Sequence, residues 1–309
     1  ASGAVTVNAD TIDWQGTLAV QSTGALTIQP RTASTTIGLG GGSGMLSLDD
    51  TELGFLQDGF SSITIGKSDA GNIDINTASF ADPLTLLTAA EILDNAGTDL
   101  NMTSGDTATG NGTVAPGQAT TAGVLTIAGT PNGSFAFANS TTFEVEIGGN
   151  TPGVRAGFHD QIDATGTVNI GTGVTLSTSA LGGFVPSAGD AFEIISRSGG
   201  SGEFTGLTEG AQVAANFLGS GLPATISYAG GDGNDVVITL NGSQVNLAGG
   251  NLTVSGDSQV NTYIVTLVGA NIEIEDTSNP IFAGTGATQD GPNKVTVPAA
   301  NVTTSITFN

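Results

Sequence analysis

Pairs of apolar residues two positions apart organise this chain. In GAVTVNADTIDWQGTLAVQSTGALTIQP the pairs are Val5 and Val7, Ile12 and Trp14, Leu18 and Val20, and Leu26 and Ile28. Successive side chains of a strand point to opposite faces, so this spacing marks a short strand with one apolar face. Gly, Asn, Asp or Ser separates the pairs, as tight turns require. The rhythm continues with Ile37 and Leu39, Leu46 and Leu48, Ile63 and Ile65, Ile73 and Ile75, Leu84 and Leu86, and Leu100 and Met102.

Many short strands at regular spacing suit a sandwich, a barrel or a β-solenoid. The solenoid fits best, because its coils need small corner residues and one inward apolar pair per strand. At roughly 20–25 residues and about 4.8 Å per coil, the first hundred residues would build a rod on the order of 20–25 Å long. Helical patterning is confined to two places. DDTELGFLQ after Leu48, with Asp50 or Thr51 as cap, and TAAEILDN around Glu91 each predict a helical turn or two.

Ser104 to Gly123 is poor in large apolar residues and reads as a boundary or loose coil. The chain thus divides into residues 1–105, 106–240 and 241–309. The middle segment carries Leu125 and Ile127, Phe143, Val145 and Ile147, and Phe192 and Ile194. The last carries Leu252 and Val254, Tyr263, Val265 and Leu267, and Ile272 and Ile274.

Composition limits the chemistry. Five Lys and Arg stand against 28 Asp and Glu, a net charge of -23 over 309 residues. Such a surface repels nucleic acid and anionic lipid and favours divalent cations. There is no cysteine, so disulfides and thiolate metal sites are excluded. No stretch approaches a membrane span, so no membrane insertion is expected. ASGAVTVNAD has neither a basic region nor an apolar core, so no signal peptide is visible.

Several motifs invite a chemical reading. GGDGNDVVI, Gly230 to Ile238, fits a calcium-binding nonapeptide at each fixed position, with Asp232 and Asp235 as the metal-binding candidates. One copy supplies only half of such a site, and nothing on either side repeats it. The other reading is a turn in which the glycines permit positive φ and Val237 begins a buried strand. Glu144 and Glu146, and Glu273 and Glu275, are carboxylate pairs roughly 6.5–7 Å apart on one strand face, a separation that inverting glycosidases use. The apolar residues between them must face inward, which leaves the glutamates on the solvated side. His159, the only histidine, reads as a surface or turn residue, because no G-x-S-x-G elbow accompanies it. Trp14, Tyr228 and Tyr263 fall in register with apolar neighbours, so no lectin-like aromatic platform is visible. No catalytic residue and no cofactor is assigned, calcium at Asp232 and Asp235 being the one open cofactor reading.

GSFAFANSTTFEVEIGGNTPGVRAGFHDQIDATGTVNIGTGVTLS, GDAFEIISRSGGSGEFTGL and ISYAGGDGNDVVITL together resemble the autotransporter-associated β-strand module of autotransporter passengers and giant bacterial surface adhesins. GTLAVQSTGALTIQPRT and DDTELGFLQDGFSSITIG resemble filamentous-haemagglutinin-like segments of such proteins. The resemblance covers roughly residues 1–240. It implies a right-handed parallel β-helix, export to the cell surface, and a structural or adhesive role.

The expectation is therefore an all-β chain, mainly a right-handed parallel β-helix. After Asn241 it ends in a small sandwich or more solenoid. Its expected role is a non-enzymatic, extracellular structural segment of an adhesin, fibre or matrix protein. The expected partners are neighbouring modules or copies at the solenoid ends, and a surface glycan or a host or cell surface. A polysaccharide-degrading β-helix enzyme and a calcium-dependent adhesive module are the rival readings.

Overall fold

The computed structural model describes all residues except 1, 2, 17, 18, 95–98, 103–106, 119, 120, 130, 131 and 258, and not the side chains of 94, 99–102, 107–111 and 118. The expected pair Leu100 and Met102, together with Leu18, lies outside that description. The chain is nearly all β. It forms two compact units. One comprises Ala1–Gly183, Glu193–Thr208 and Tyr228–Val237, the other Phe184–Phe192, Glu209–Ser227 and Ile238–Asn309.

The first unit is built from parallel strands in register. Val5–Asn8, Leu26–Gln29, Ile63–Gly66, Leu84–Asp94 and Thr107–Ala115 lie side by side in that order. Val5, Leu26, Ile63 and Leu84 form one column, and Val7, Ile28, Ile65 and Leu86 form the next. From Leu26 and Ile28 onward these side chains are buried. Thr6, Thr27, Thr64 and Thr85 make the column between them on the opposite face. The period-two pattern thus becomes inward and outward columns running across the sheet.

The spacing between paired strands varies while these columns stay aligned. Leu26 follows Val5 by 21 residues, Leu84 follows Ile63 by 21, and Ala108 follows Leu84 by 24. Ile63 follows Leu26 by 37. That longer stretch holds the extra strands Ile37–Leu39 and Leu46–Leu48 and the helix Asp50–Leu53. Asp49 caps the helix, one residue before the expected Asp50 or Thr51. Its side chain accepts from the N–H groups of Thr51 and Glu52, while the Glu52 carboxylate accepts from the Asp49 N–H.

Two sequence expectations fail here for one reason. Thr88–Asn95 was expected to start a helix, but its residues through Asp94 belong to the strand Leu84–Asp94, because Ile92 stacks on Ile73 and on Val114. Ser104–Gly123 was expected to be a boundary or a loose coil. Instead Thr107–Ala115 is a strand that pairs with Leu84–Asp94 on one side and with Ser134–Phe137 and Thr142–Ile147 on the other. Small residues pair as well as large ones when both neighbours supply a ladder, and local composition does not register that.

Further strands of this unit run parallel in the same way. Phe143, Val145 and Ile147 are buried and alternate with half-buried Glu144 and Glu146, as the sequence requires. Phe137, Phe143 and Phe204 form an aromatic cluster, with ring centroids 5.2 Å apart for Phe137 and Phe143 and 6.0 Å for Phe143 and Phe204. Tyr228 closes it: its hydroxyl donates to the Leu207 carbonyl and accepts from the Phe204 N–H.

In the second unit, Phe192 packs against Phe184 and Phe217. Residues 241–309 form two four-stranded sheets. The order in one is Ile281–Ala283, Ser243–Ala248, Asn251–Ser255, Ser305–Phe308, and in the other Tyr263–Val268, Asn271–Asp276, Lys294–Pro298, Thr288–Gly291. Val245, Leu247, Leu252, Val254, Ile274, Ile281, Val295 and Val297 share one core. Asp276 is fully buried and pins the loops around it. Its carboxylate accepts from the N–H groups of Thr262, Ser278 and Asn279 and from the Ser243 hydroxyl. Val265 and Leu267, expected to be inward, are exposed because their strand is a sheet edge.

Phe143→Ala removes a fully buried ring from the middle of the aromatic cluster, and is expected to destabilise the chain by about 3–5 kcal/mol. Urea unfolding followed by far-ultraviolet circular dichroism measures this.

Candidate functional site

The nonapeptide segment forms a turn that its own aspartate organises. The Gly233 N–H donates to the Gly230 carbonyl at 2.8 Å. Asp235 is buried, and its two carboxylate oxygens accept from the main-chain N–H groups of Arg197 at 2.8 Å and Asp232 at 3.2 Å. Gly231 has φ +56°, and a Cβ there would stand 1.9 Å from the Asp235 carboxylate, so only glycine fits. Arg197 grips the turn from beside it. Its Nε donates to the Asn234 carbonyl and its Nη1 to the Val168 carbonyl, both at 2.7 Å. The strand that follows begins at Asp235, with Val236, Ile238 and Leu240 inward. The sequence reading placed Val237 there; the register is one residue earlier, because Asp235 itself turns inward to hold the loop.

Asp232 is exposed, and the structure brings it to Asp235 through its N–H rather than its carboxylate. The Glu193 pKa is raised by burial first and then by the Asp235 charge. Among the described residues, no three His, Cys, Asp or Glu side chains gather as a metal cage.

A second group of acids lies on the half-buried face of Thr142–Ile147. Glu91, Glu144 and Glu146 line a small cavity of about 50 Å³ with Leu93, Ala115, Pro116 and Gly117. Burial raises the Glu146 carboxyl to about 6, with the Glu144 and Glu91 charges adding to the effect. Behind it Asp160 is fully buried, accepting from the Gly123 N–H at 2.8 Å and the Glu146 N–H at 2.6 Å. Burial pushes Asp160 up to about 8, against the pull of those two donors. Three of the five basic residues have partners elsewhere: Lys67 pairs with Asp69, Lys294 with Glu273, and Arg197 with carbonyls. No Lys or Arg is among the residues that line that cavity.

His159 is a correction to the sequence reading. It is wholly buried, not a surface residue. Its Nδ1 lies 3.0 Å from the Gly149 carbonyl and its Nε2 3.2 Å from the Glu193 carbonyl. Burial lowers its pKa, and the two carbonyls oppose that. Both contacts join segments remote in sequence, so no local pattern announces them. The same holds for Asp160, whose donors lie 37 and 14 residues away.

One concavity carries an aromatic. Half-buried Trp14, with Asp13, Gln15, Asp49, Thr51 and Phe55, lines a cleft of about 400 Å³ beside the helix Asp50–Leu53. The Trp14 N–H donates to the buried Glu52 carboxylate at 2.9 Å, which fixes the backbone at the cleft wall. The sequence reading found no aromatic platform because Trp14 falls in a period-two pair; Ile12 and Trp14 in fact lie outside any strand.

Glu146 supplies a pH test. Its folded pKa exceeds its ordinary value of 4.5, so the proton is held more tightly in the folded chain. Its contribution to stability is therefore lost as pH rises from about 4.5 through about 6. Glu146→Gln is expected to match the parent chain below that window. Above it, the variant is expected to be more stable by on the order of 1 kcal/mol after solvent screening, read from urea midpoints across pH.

No protein-family model, curated protein or solved structure matches this chain.

Proposed function

We propose that this chain is a non-enzymatic structural segment of an extracellular bacterial surface adhesin, fibre or matrix protein. In this reading the first unit is a right-handed parallel β-helix of the autotransporter-passenger and filamentous-haemagglutinin-like kind. The supporting observation is the run of in-register parallel strands, whose partners recur at intervals of 21 to 37 residues. Parallel strands joined by crossovers turn right-handedly almost without exception, which favours that hand. The work of such a segment is mechanical: backbone bonds between coils carry load, and loops vary on its faces.

Neighbouring modules or copies are the partners at the coil ends, where strand edges offer unpaired backbone groups. A glycan or cell surface is the partner along the faces, and the Trp14 cleft is the indole-bearing concavity open to a sugar. Electron microscopy of the purified chain is expected to show linear strings of particles, with no release of reducing ends from neutral or acidic glycans. Single particles at all concentrations, or glycan turnover, would overturn this reading.

A calcium-stiffened module is the second reading, and one observation favours it. The Asn234 side-chain oxygen, in the nonapeptide turn beside Asp235, is buried with no hydrogen-bond partner, a condition that an ion or water relieves. Asp235→Ala is expected to destabilise the chain by about 2–4 kcal/mol in calcium-free buffer, since two main-chain donors lose their acceptor. Calorimetric titration with calcium separates the readings: heat in the parent chain that disappears in Asp235→Ala supports the ion, and no heat in either supports a plain turn.

A further inference from the structure

Asn-Gly pairs occur three times in the chain, at Asn111, Asn132 and Asn241. In such a pair no side chain crowds the glycine nitrogen, and its attack on the asparagine Cγ closes a five-membered ring. At Asn241 the fold adds a base. The Gly242 N–H donates to Asp257 Oδ2 at 2.6 Å, within the reach a general base needs for the proton it abstracts. Asp257 is itself held, its Oδ1 accepting from the Gln259 N–H at 2.9 Å. The asparagine amide is held too: Nδ2 donates to the Thr225 hydroxyl at 2.7 Å and to the Thr239 carbonyl at 3.2 Å. Gly242 is buried at φ +90°. A Cβ there would stand 2.7 Å from the Phe282 ring and 2.9 Å from the Pro280 carbonyl oxygen, so only glycine fits. Asn132 lacks this arrangement. It is exposed, and the Gly133 N–H donates to the Thr165 hydroxyl at 2.8 Å, a much weaker base than a carboxylate. The Asn111 side chain lies outside the described residues.

We propose that Asn241 is a self-modification site, where the chain converts asparagine to a succinimide and then to aspartate and isoaspartate. Asp257 takes the Gly242 N–H proton as the Gly242 nitrogen bonds to Asn241 Cγ. The Cγ–Nδ2 bond then breaks, and Nδ2 takes that proton from Asp257 and leaves as ammonia. The product is a cyclic imide joining the two residues, with Asp257 returned to its carboxylate form. Water then opens the ring and is the only co-reactant. Breaking the new Cγ–N bond gives aspartate. Breaking the original peptide C–N bond gives isoaspartate, whose main chain runs through Cβ and Cγ. The second product adds one carbon to the main chain directly before Ser243. That residue is fully buried, opens the strand Ser243–Ala248 and bonds the buried Asp276 carboxylate. Modification therefore strains that sheet and adds a negative charge beside it.

Peptide mapping by mass spectrometry tests this on the full chain, warmed at neutral pH. Loss of ammonia, followed by a gain of one mass unit over the parent peptide, is expected at Asn241 sooner than at Asn132. Asp257→Asn is expected to slow the conversion of Asn241 at least about tenfold and to leave Asn132 unchanged. In urea the fold no longer places Asp257 on Gly242. Parent and variant are then expected to convert Asn241 at one shared rate, below that of the folded parent. The folded and urea-unfolded parent can be compared whether or not the variant folds. An Asn241 that outlasts Asn132, that converts faster in urea than in the folded chain, or that keeps its rate in folded Asp257→Asn would overturn the proposal.

Discussion

Everything in the first unit rests on parallel strands stacking in register. Each short strand contributes only two or three inward side chains, too few to form a core alone. Stacking turns Leu26, Ile63 and Leu84 into a continuous column, and Ile28, Ile65 and Leu86 into the next. The same ladder satisfies the backbone groups of the small, hydroxyl-rich segments between them. A one-residue slip would exchange those columns for the threonines of the opposite face. Register and burial therefore enforce each other.

The inward pairs of the fold were legible from the sequence wherever a strand sits inside a sheet. Leu26 and Ile28, Ile37 and Leu39, Phe143, Val145 and Ile147, and Leu252 and Val254 are all buried as the alternation requires. Legibility fails at edges. Val265 and Leu267 have the same spacing but no strand beyond them, and sequence carries no mark of which strand comes last. It also fails where pairing overrides local propensity, as in TAAEILDN from Thr88, which reads as a helical turn or two but whose Glu91–Leu93 lies against strands that fix its conformation.

The candidate sites were less legible. The turn at Gly231 was readable from its glycines and asparagine, because positive φ is a local demand. The partners that give Asp235, Asp160 and His159 their roles come from other coils: Arg197, Gly123 and Gly149. Buried polar residues here act as staples between segments brought together only by folding. Burial raises the pKa of Asp160 and lowers that of His159.

The coil between Leu26 and Ile63 shows how such a chain can diversify. Its additional length is absorbed as two accessory strands and a capped helix, while the flanking ladder keeps its alignment. The indole-lined hollow beside that helix exists only because of this detour. Added length between two paired strands is thus a way to carry a new surface feature while the strands on either side stay aligned.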